Sequence, residues 1–204
     1  MEKILSIDFD CIMYPCIKLY NDSCHGNENP TVEWKNIESR QNIDNFLCYD
    51  AKILEEIALL IQRNVKNGSK LIPITNHQDI VEYINLVDNE KIELANIDFH
   101  HDIWYDEDSI DRITHFDEYT CANWVGYLYF KNKLDSYTWV KMPNSDLFMP
   151  SNEDVPLTVL RSTEIKDLSN DFDRIFLCLS PQWVPYKFHH LYDLIVKLFG
   201  GNSL

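Results

Sequence analysis

Apolar runs alternate with amphipathic stretches along the whole chain, and that alternation predicts a sheet interleaved with helices. Residues 3–9 (KILSIDF) form a short run rich in Ile, Leu and Phe that stops at acidic residues, the pattern of a strand buried on both faces. Residues 51–66 place Ile53, Leu54, Ile57, Leu60 and Ile61 at helical spacing, with Asp50 as N-cap and Asn67-Gly68 as the stop. A strand over 70–75 (KLIPIT), a helix over 78–87 and a strand over 93–99 (ELANIDF) follow, and strand, helix, strand in short succession implies parallel pairing. Further along, the pattern predicts a helix over 118–134, short strands over 137–141 and 157–160, a buried strand over 174–179 (RIFLCL) and a last helix over 186–199 closed by Gly200-Gly201. The proline-bearing stretch 142–156 reads as an ordered loop, and the polar segment 16–38 yields no predicted element. No repeat or linker divides the chain, so residues 1–204 are read as one α/β domain.

Composition sharpens this picture. With 45% hydrophobic residues, 204 residues suffice for a packed core. The net charge of −15 argues against a phosphate-backbone partner, hence against nucleic acid, and favours a cationic ligand, although acidity serves solubility equally well. The opening MEKILSIDFD turns polar too soon for a signal peptide and no apolar run approaches a membrane span, so the expected location is the cytoplasm, with no membrane partner. Six cysteines without a CxxC pair read as free thiols; Cys11, Cys16 and Cys24-His25 offer an alternative zinc cluster at irregular spacing.

The chemistry concentrates at predicted strand ends. In Asp98-Phe99-His100-His101-Asp102, three metal-binding side chains stand at i, i+2 and i+4, and in an extended chain they face one way. Asp8-Phe9-Asp10 repeats the device, and Thr75-Asn76-His77 brings an imidazole to a third strand end. Carboxylates crowded beside imidazoles are costly to bury without a cation. Four carboxylates and two imidazoles, Asp8, Asp10, His77, Asp98, His100 and Asp102, with no thiolate, suit a pair of divalent ions, Mn²⁺ ahead of Fe²⁺, Co²⁺ or Zn²⁺. Such a pair lowers the pKa of a water and orients a polar carbon for attack. Taken singly these motifs carry bland readings: an IDFD is often a strand entering a turn, and a lone histidine is often a hydrogen-bonded core residue.

These elements resemble the arginase and deacetylase superfamily, in which a Gly-Asp-His loop, a DxHxD strand end and a DxDxxDP strand end bind two Mn²⁺. Asn76-His77, Asp98 to Asp102 and Asp8-Phe9-Asp10 through Pro15 match them here, although in arginase the DxD element comes last. Order and length resemble a smaller, divergent branch that includes the peptide arginases of ribosomally made natural products. Its marks are SIDFD, DxHHD, Cys121-Ala122-Asn123-Trp124 and the Ser-Pro-x-Trp-x-Pro of Ser180 to Pro185; where that branch usually carries an acid, this chain has Gln182. The resemblance implies a three-layer α/β/α fold with a mainly parallel sheet and hydrolysis of the arginine guanidinium in a peptide, giving ornithine and urea. It implies that Asp8 and Asp98 bridge two ions, with His77 and Asp102 completing one site and His100 and Asp10 the other. His101 is the candidate acid by proximity, though strand alternation turns it away. Asn123 is a candidate substrate ligand or a helix N-cap, and Ser180, Gln182 and Trp183 are candidate substrate contacts. Alternatives are a ureohydrolase or amidohydrolase for free arginine or agmatine, and a metal-stabilised peptide-binding protein. The sequence leaves the oligomeric state open.

Overall fold

Strand β1 (Glu2–Asp8) is buried from Ile4 onward, and its apolar side chains serve two faces: Ile4 joins one core while Leu5 and Ile7 join the other. That double burial selects a parallel sheet. The computed structural model describes residues 1–14, 28–40, 42, 47–86, 91–104, 107–143, 145, 159–162 and 164–200. After β1 come a 3₁₀ turn (Phe9–Ile12), β2 (Met13–Tyr14), α1 (Pro30–Arg40), β3 (Cys48–Tyr49), α2 (Ala51–Lys66), β4 (Lys70–Ile74), α3 (Asp79–Leu86) and β5 (Ile92–Asp98). The chain continues through α4 (Glu107–Asp111), a π-helical turn (Arg112–Phe116), α5 (Trp124–Phe130), β6 (Leu134–Lys141), β7 (Val159–Ser162), β8 (Arg174–Cys178), a 3₁₀ turn (Tyr186–Phe188) and α6 (His189–Phe199).

Six strands form one sheet in the order β4-β8-β1-β5-β6-β7, and every neighbouring pair is parallel. β2 and β3 make a separate antiparallel ladder. On one face, Ile57, Leu60 and Ile61 of α2 and Tyr192 and Ile195 of α6 pack with Leu5, Ile7, Ile97, Ile175 and Leu177. On the other, Ile80, Val81 and Ile84 of α3 and Trp124, Val125 and Leu128 of α5 pack with Ile4, Leu94, Tyr137, Trp139 and Phe176. The chain is an α/β protein with helices on both faces of a parallel sheet.

Asp50 caps α2 as its sequence predicts, accepting from the amides of Lys52 at 2.9 Å and Ile53 at 3.1 Å, and the helix stops at Asn67 before Gly68 at φ +105°. The helix expected over 118–134 is shorter. Asn123 folds back on Thr120, so helical structure begins only at Trp124; Asn132 at φ 56° ends the connection, and Leu134 already opens β6. The expected strand over 157–160 appears as Val159–Ser162, and residues 157 and 158 lie outside the described set, as do most of 142–156 and Cys16, Cys24 and His25 of the alternative zinc cluster. Within 16–38, α1 is the element that sequence reading did not find. Among the described residues no helix is long and apolar enough to cross a membrane.

Helix α5 sits directly on the turn that follows β5. A Cβ on Gly126 would lie 2.1 Å from the Ile103 carbonyl oxygen, so only glycine admits this approach. In an ordinary helix Gly→Ala stabilises; here Gly126→Ala is expected to cost about 2 kcal/mol through overpacking. Denaturant unfolding measures it, and an unchanged or raised midpoint would contradict the packing.

Candidate metal centre

Two neighbouring strands bring the acidic ends together. β1 and β5 run in register up to Ile7 beside Ile97, so Asp8 and Asp98 stand next to each other one residue beyond. From β1 the chain leaves for β4 on one side, and from β5 it leaves for β6 on the other. That divergence opens a crevice at the carboxyl ends of the strands, where α/β sheets place ligands.

The side chains converge by a different route from the extended pleat that their spacing suggested. β1 stops at Asp8, whose Oδ1 accepts the Asp10 amide at 3.3 Å and starts the 3₁₀ turn. β5 stops at Asp98, whose Oδ1 accepts the His100 amide at 2.8 Å. Each first aspartate therefore folds the following chain over itself, and Asp102 completes the turn in the left-handed region at φ 52°. The amide of Val125, at the start of α5, holds the Asp102 carbonyl at 3.0 Å.

His77 lies in the turn between β4 and α3. Its Nδ1 is 3.2 Å from Asp8 Oδ2, 3.3 Å from Asp98 Oδ2 and 3.0 Å from Asp102 Oδ2, while Nε2 meets the Ser6 hydroxyl at 2.6 Å. On the other side of Asp98, His100 Nδ1 is 3.5 Å from Asp98 Oδ1 and 3.7 Å from Asp10 Oδ2. Two groups able to hold a metal ion result, Asp8-His77-Asp98 and Asp10-Asp98-His100, and Asp98 belongs to both. Asp102 adjoins the first. Further support comes from the Trp124 indole, donating to Asp102 Oδ2 at 2.7 Å, the Ser180 hydroxyl, donating to Asp8 Oδ2 at 2.7 Å, and the Asn96 amide, 3.3 Å from Asp98 Oδ2. One oxygen, Asp10 Oδ1, is buried with no hydrogen-bond partner among the described residues. An orphaned carboxylate oxygen beside three others, all buried, is what a divalent cation would satisfy. The cluster could hold a metal ion.

The electrostatics agree. Burial, with Asp8 and Asp98 nearby, pushes Asp10 well above the usual carboxylate range. Burial and Asp98 push Asp102 up to about 7. Burial works against charge on both histidines, but hydrogen bonds to Asp102, Asp8 and Asp98 hold His77 well above the imidazole range, and Asp98 with Asp10 raises His100 to about 10. Burial opposes ionisation of Asp98 too, yet both imidazoles keep it below the carboxylate range. Without metal, the cluster neutralises itself by binding protons.

A pocket of about 70 Å³ opens above the cluster, lined by Asp8, His77, His100, Asp102 and Ser180 and walled by Asn76, Gln78, Cys121, Ala122, Gln182 and Trp183. Gln182, Trp183 and Ser180 thus stand where substrate contacts were expected, although Ser180 also spends its hydroxyl on Asp8. The Trp183 ring lies 5.5 Å from that of His100. His101 is not brought to this pocket: its Nδ1 accepts the Ile103 amide at 3.2 Å, its ring meets Trp139 edge-on, and burial lowers it to about 4. Asn123 is also away from the lining; it stands at the N-cap position of α5, its carbonyl accepting the Tyr127 amide at 2.9 Å, while its Oδ1 accepts the Thr120 amide at 2.7 Å rather than a helix amide. Trp124 is fully buried and its indole also holds Asp102. Sequence reading missed Ser6, whose signal was a lone hydroxyl in an apolar strand, and Cys121, which burial and Asp102 push up to about 11 and so keep as a thiol. His189 and His190 bond the carbonyls of Val184 and Lys187, outside the cluster.

Comparison with protein-family models, with curated proteins and with solved structures finds no match to this chain.

Proton binding by the cluster gives the metal-free protein a defined pH dependence. The raised Asp102 contributes stability that is complete below the ordinary carboxylate range and lost as pH climbs to about 7; the raised His100 contributes stability complete below the imidazole range and lost toward about 10. Asp98, shifted the other way, matters only in acid. Chelator-treated protein is expected to melt at progressively lower temperature from about pH 5 to about pH 9, while added Mn²⁺ stabilises increasingly over the same range because its ligands must be deprotonated. Melting scans with and without metal check this, and a metal increment that shrinks as pH rises would contradict it.

Proposed function

We propose that the protein is a hydrolase with a two-metal site, Mn²⁺ being the favoured ion, that cleaves the guanidinium of arginine residues in a peptide to leave ornithine and urea, on an arginase-like three-layer fold. The observation that carries the reading is the sharing of Asp98 between two buried ligand groups, with Asp10 Oδ1 lacking any hydrogen-bond partner among the described residues. Asp8, Asp98, His77 and Asp102 would hold one ion, and Asp8, Asp98, His100 and Asp10 the other. Two such ions supply a lowered pKa for water and polarisation of the carbon under attack.

The rest falls to the chain's own side chains. Ser6 and Trp124 fix His77 and Asp102, and Ser180 fixes Asp8, so that the ligands keep their orientation when substrate enters. Trp183 offers an aromatic face for a guanidinium, and the carboxamide of Gln182 offers a carbonyl acceptor for its N–H groups. With His101 turned toward Trp139, the departing amine takes its proton from water in the open pocket.

One observation favours a peptide over free arginine. Among the described residues the pocket is lined by carboxylates, imidazoles, carboxamides, an indole, the Ser180 hydroxyl, the Cys121 thiol and Ala122, with no Lys or Arg to receive an α-carboxylate. A side chain projecting from a peptide brings no such charge.

Mass spectrometry of an arginine-containing peptide incubated with Mn²⁺-loaded protein is expected to show loss of a CH₂N₂ unit with release of urea, and free arginine is expected to remain intact. Turnover of free arginine alone would move the reading to a small-molecule ureohydrolase; binding without turnover would make the protein a peptide-binding module. Metal analysis separates the two ligand groups: Asp98→Ala should lose both ions and Asp10→Asn only one, with the fold kept in each. Full metal content in Asp98→Ala would remove the basis of the proposal.

A further inference from the structure

Part of the pocket wall, Ser180, Gln182 and Trp183, belongs to the segment between β8 and α6. That segment contains Ser180 at φ 46°, Pro181, Gln182 and Trp183; Leu179 and Ser180 at its start donate to the carbonyls of Ile74 at 3.0 Å and Thr75 at 3.1 Å, at the end of β4, before the chain turns away. Helix α1 grips this segment. The Trp34 indole, fully buried, donates to the Pro181 carbonyl at 2.9 Å; Glu38, one turn on, accepts the Lys187 amide at 3.1 Å; Lys35 lies 4.1 Å from the centre of the Tyr186 ring. The Pro181 carbonyl is the peptide group joined directly to Gln182, so the bond from Trp34 fixes the plane from which Gln182 and Trp183 depart. α1 has only Trp34 and Ile37 buried, which is little for an element that serves the core alone.

We infer that Trp34 is a positioning residue for the substrate wall: its N–H bond to Pro181 sets Gln182 and the aromatic face of Trp183 over the metal cluster without contributing to metal binding. The inference rests on the reading that this pocket takes the guanidinium of an arginine-containing peptide. In its absence the Pro181 carbonyl is left buried and unsatisfied, and the segment shifts to recover a partner. A wall displaced by even 1 Å lowers affinity while the ligands of the cluster, which are carried by β1, β5 and the turn after β4, stay in place.

The test compares wild type with Trp34→Phe, which keeps the buried ring and removes the N–H, with Glu38→Gln, which weakens the second grip, and with Ser39→Ala on the exposed side of α1 as a control. Three quantities are read in each: Mn²⁺ stoichiometry, acrylamide quenching of tryptophan fluorescence, and KM and kcat on an arginine-containing peptide. Trp34, Trp104, Trp124 and Trp139 are buried, so quenching reports mainly on Trp183. Trp34→Phe is expected to keep full metal, to raise acrylamide quenching about two-fold and to raise KM about ten-fold with kcat little changed, the loss of one hydrogen bond to a buried carbonyl. Glu38→Gln should move quenching and KM the same way by less, and Ser39→Ala should move neither. Unchanged quenching and KM in both Trp34→Phe and Glu38→Gln would overturn the inference, and so would a fall in metal content equal to the loss of activity. A wild-type protein inert toward the peptide, with quenching still raised in Trp34→Phe, would refute the substrate reading while sustaining the placement of the wall by Trp34.

Discussion

Four carboxylates and the His77 imidazole are buried, with the half-buried His100 beside them, within a few ångströms of one another at the carboxyl end of a parallel sheet, and the surrounding structure is arranged around that cost. The partners given to these carboxylates are amides, a hydroxyl, an indole and the two histidines. Hydrogen bonds of this kind orient a carboxylate; they do not cancel the repulsion among four of them in a low-dielectric interior. Protons do so in the metal-free chain, which is why Asp10 and Asp102 are raised and why His77 and His100 remain cationic so far above their ordinary range. A pair of divalent ions would do it with the oxygens already in place.

The fold supplies the rigidity that such a centre requires. β1 and β5 lie in the middle of the sheet, so the aspartates that end them are carried on backbone hydrogen-bonded along both edges. The cluster is braced by side chains from several elements. Trp124, from the α5 side, holds Asp102, and Gly126 lets that helix approach the turn after β5 closely enough to do so. Ser180, leaving β8, holds Asp8, and Ser6 within β1 holds His77. The orientation of these carboxylates and imidazoles is thereby tied to the packing around them, while the pocket wall comes from segments between elements, which can vary without disturbing the cluster.

Much of this was legible in the sequence. The helix over 51–66 carried its own start and stop in Asp50 and Asn67-Gly68, and the all-apolar strands announced a parallel sheet. The six clustered side chains could be named because they stand at or just beyond strand ends, where period and chemistry coincide. What was not legible depended on contacts distant in sequence. The polar stretch holding α1 has little hydrophobic period to read, because much of its role is to grip a segment about 150 residues later through Trp34 and Glu38. The helix expected over 118–134 was shortened by a local bond from Asn123 to Thr120 that competes with helix formation, a choice invisible to periodicity. The route of convergence was also hidden: alternation along an extended strand predicted the right side chains, but turns closed by Asp8 and Asp98 bring them together.

The central claim is that Asp98 stands between two metal ions. Crystals of the Mn²⁺-loaded protein, measured at the manganese absorption edge, test it directly. The account predicts two anomalous peaks, one on each side of the Asp98 carboxylate, one against His77 and the other against His100 and Asp10. A single peak, or none within bonding distance of Asp98, would contradict it.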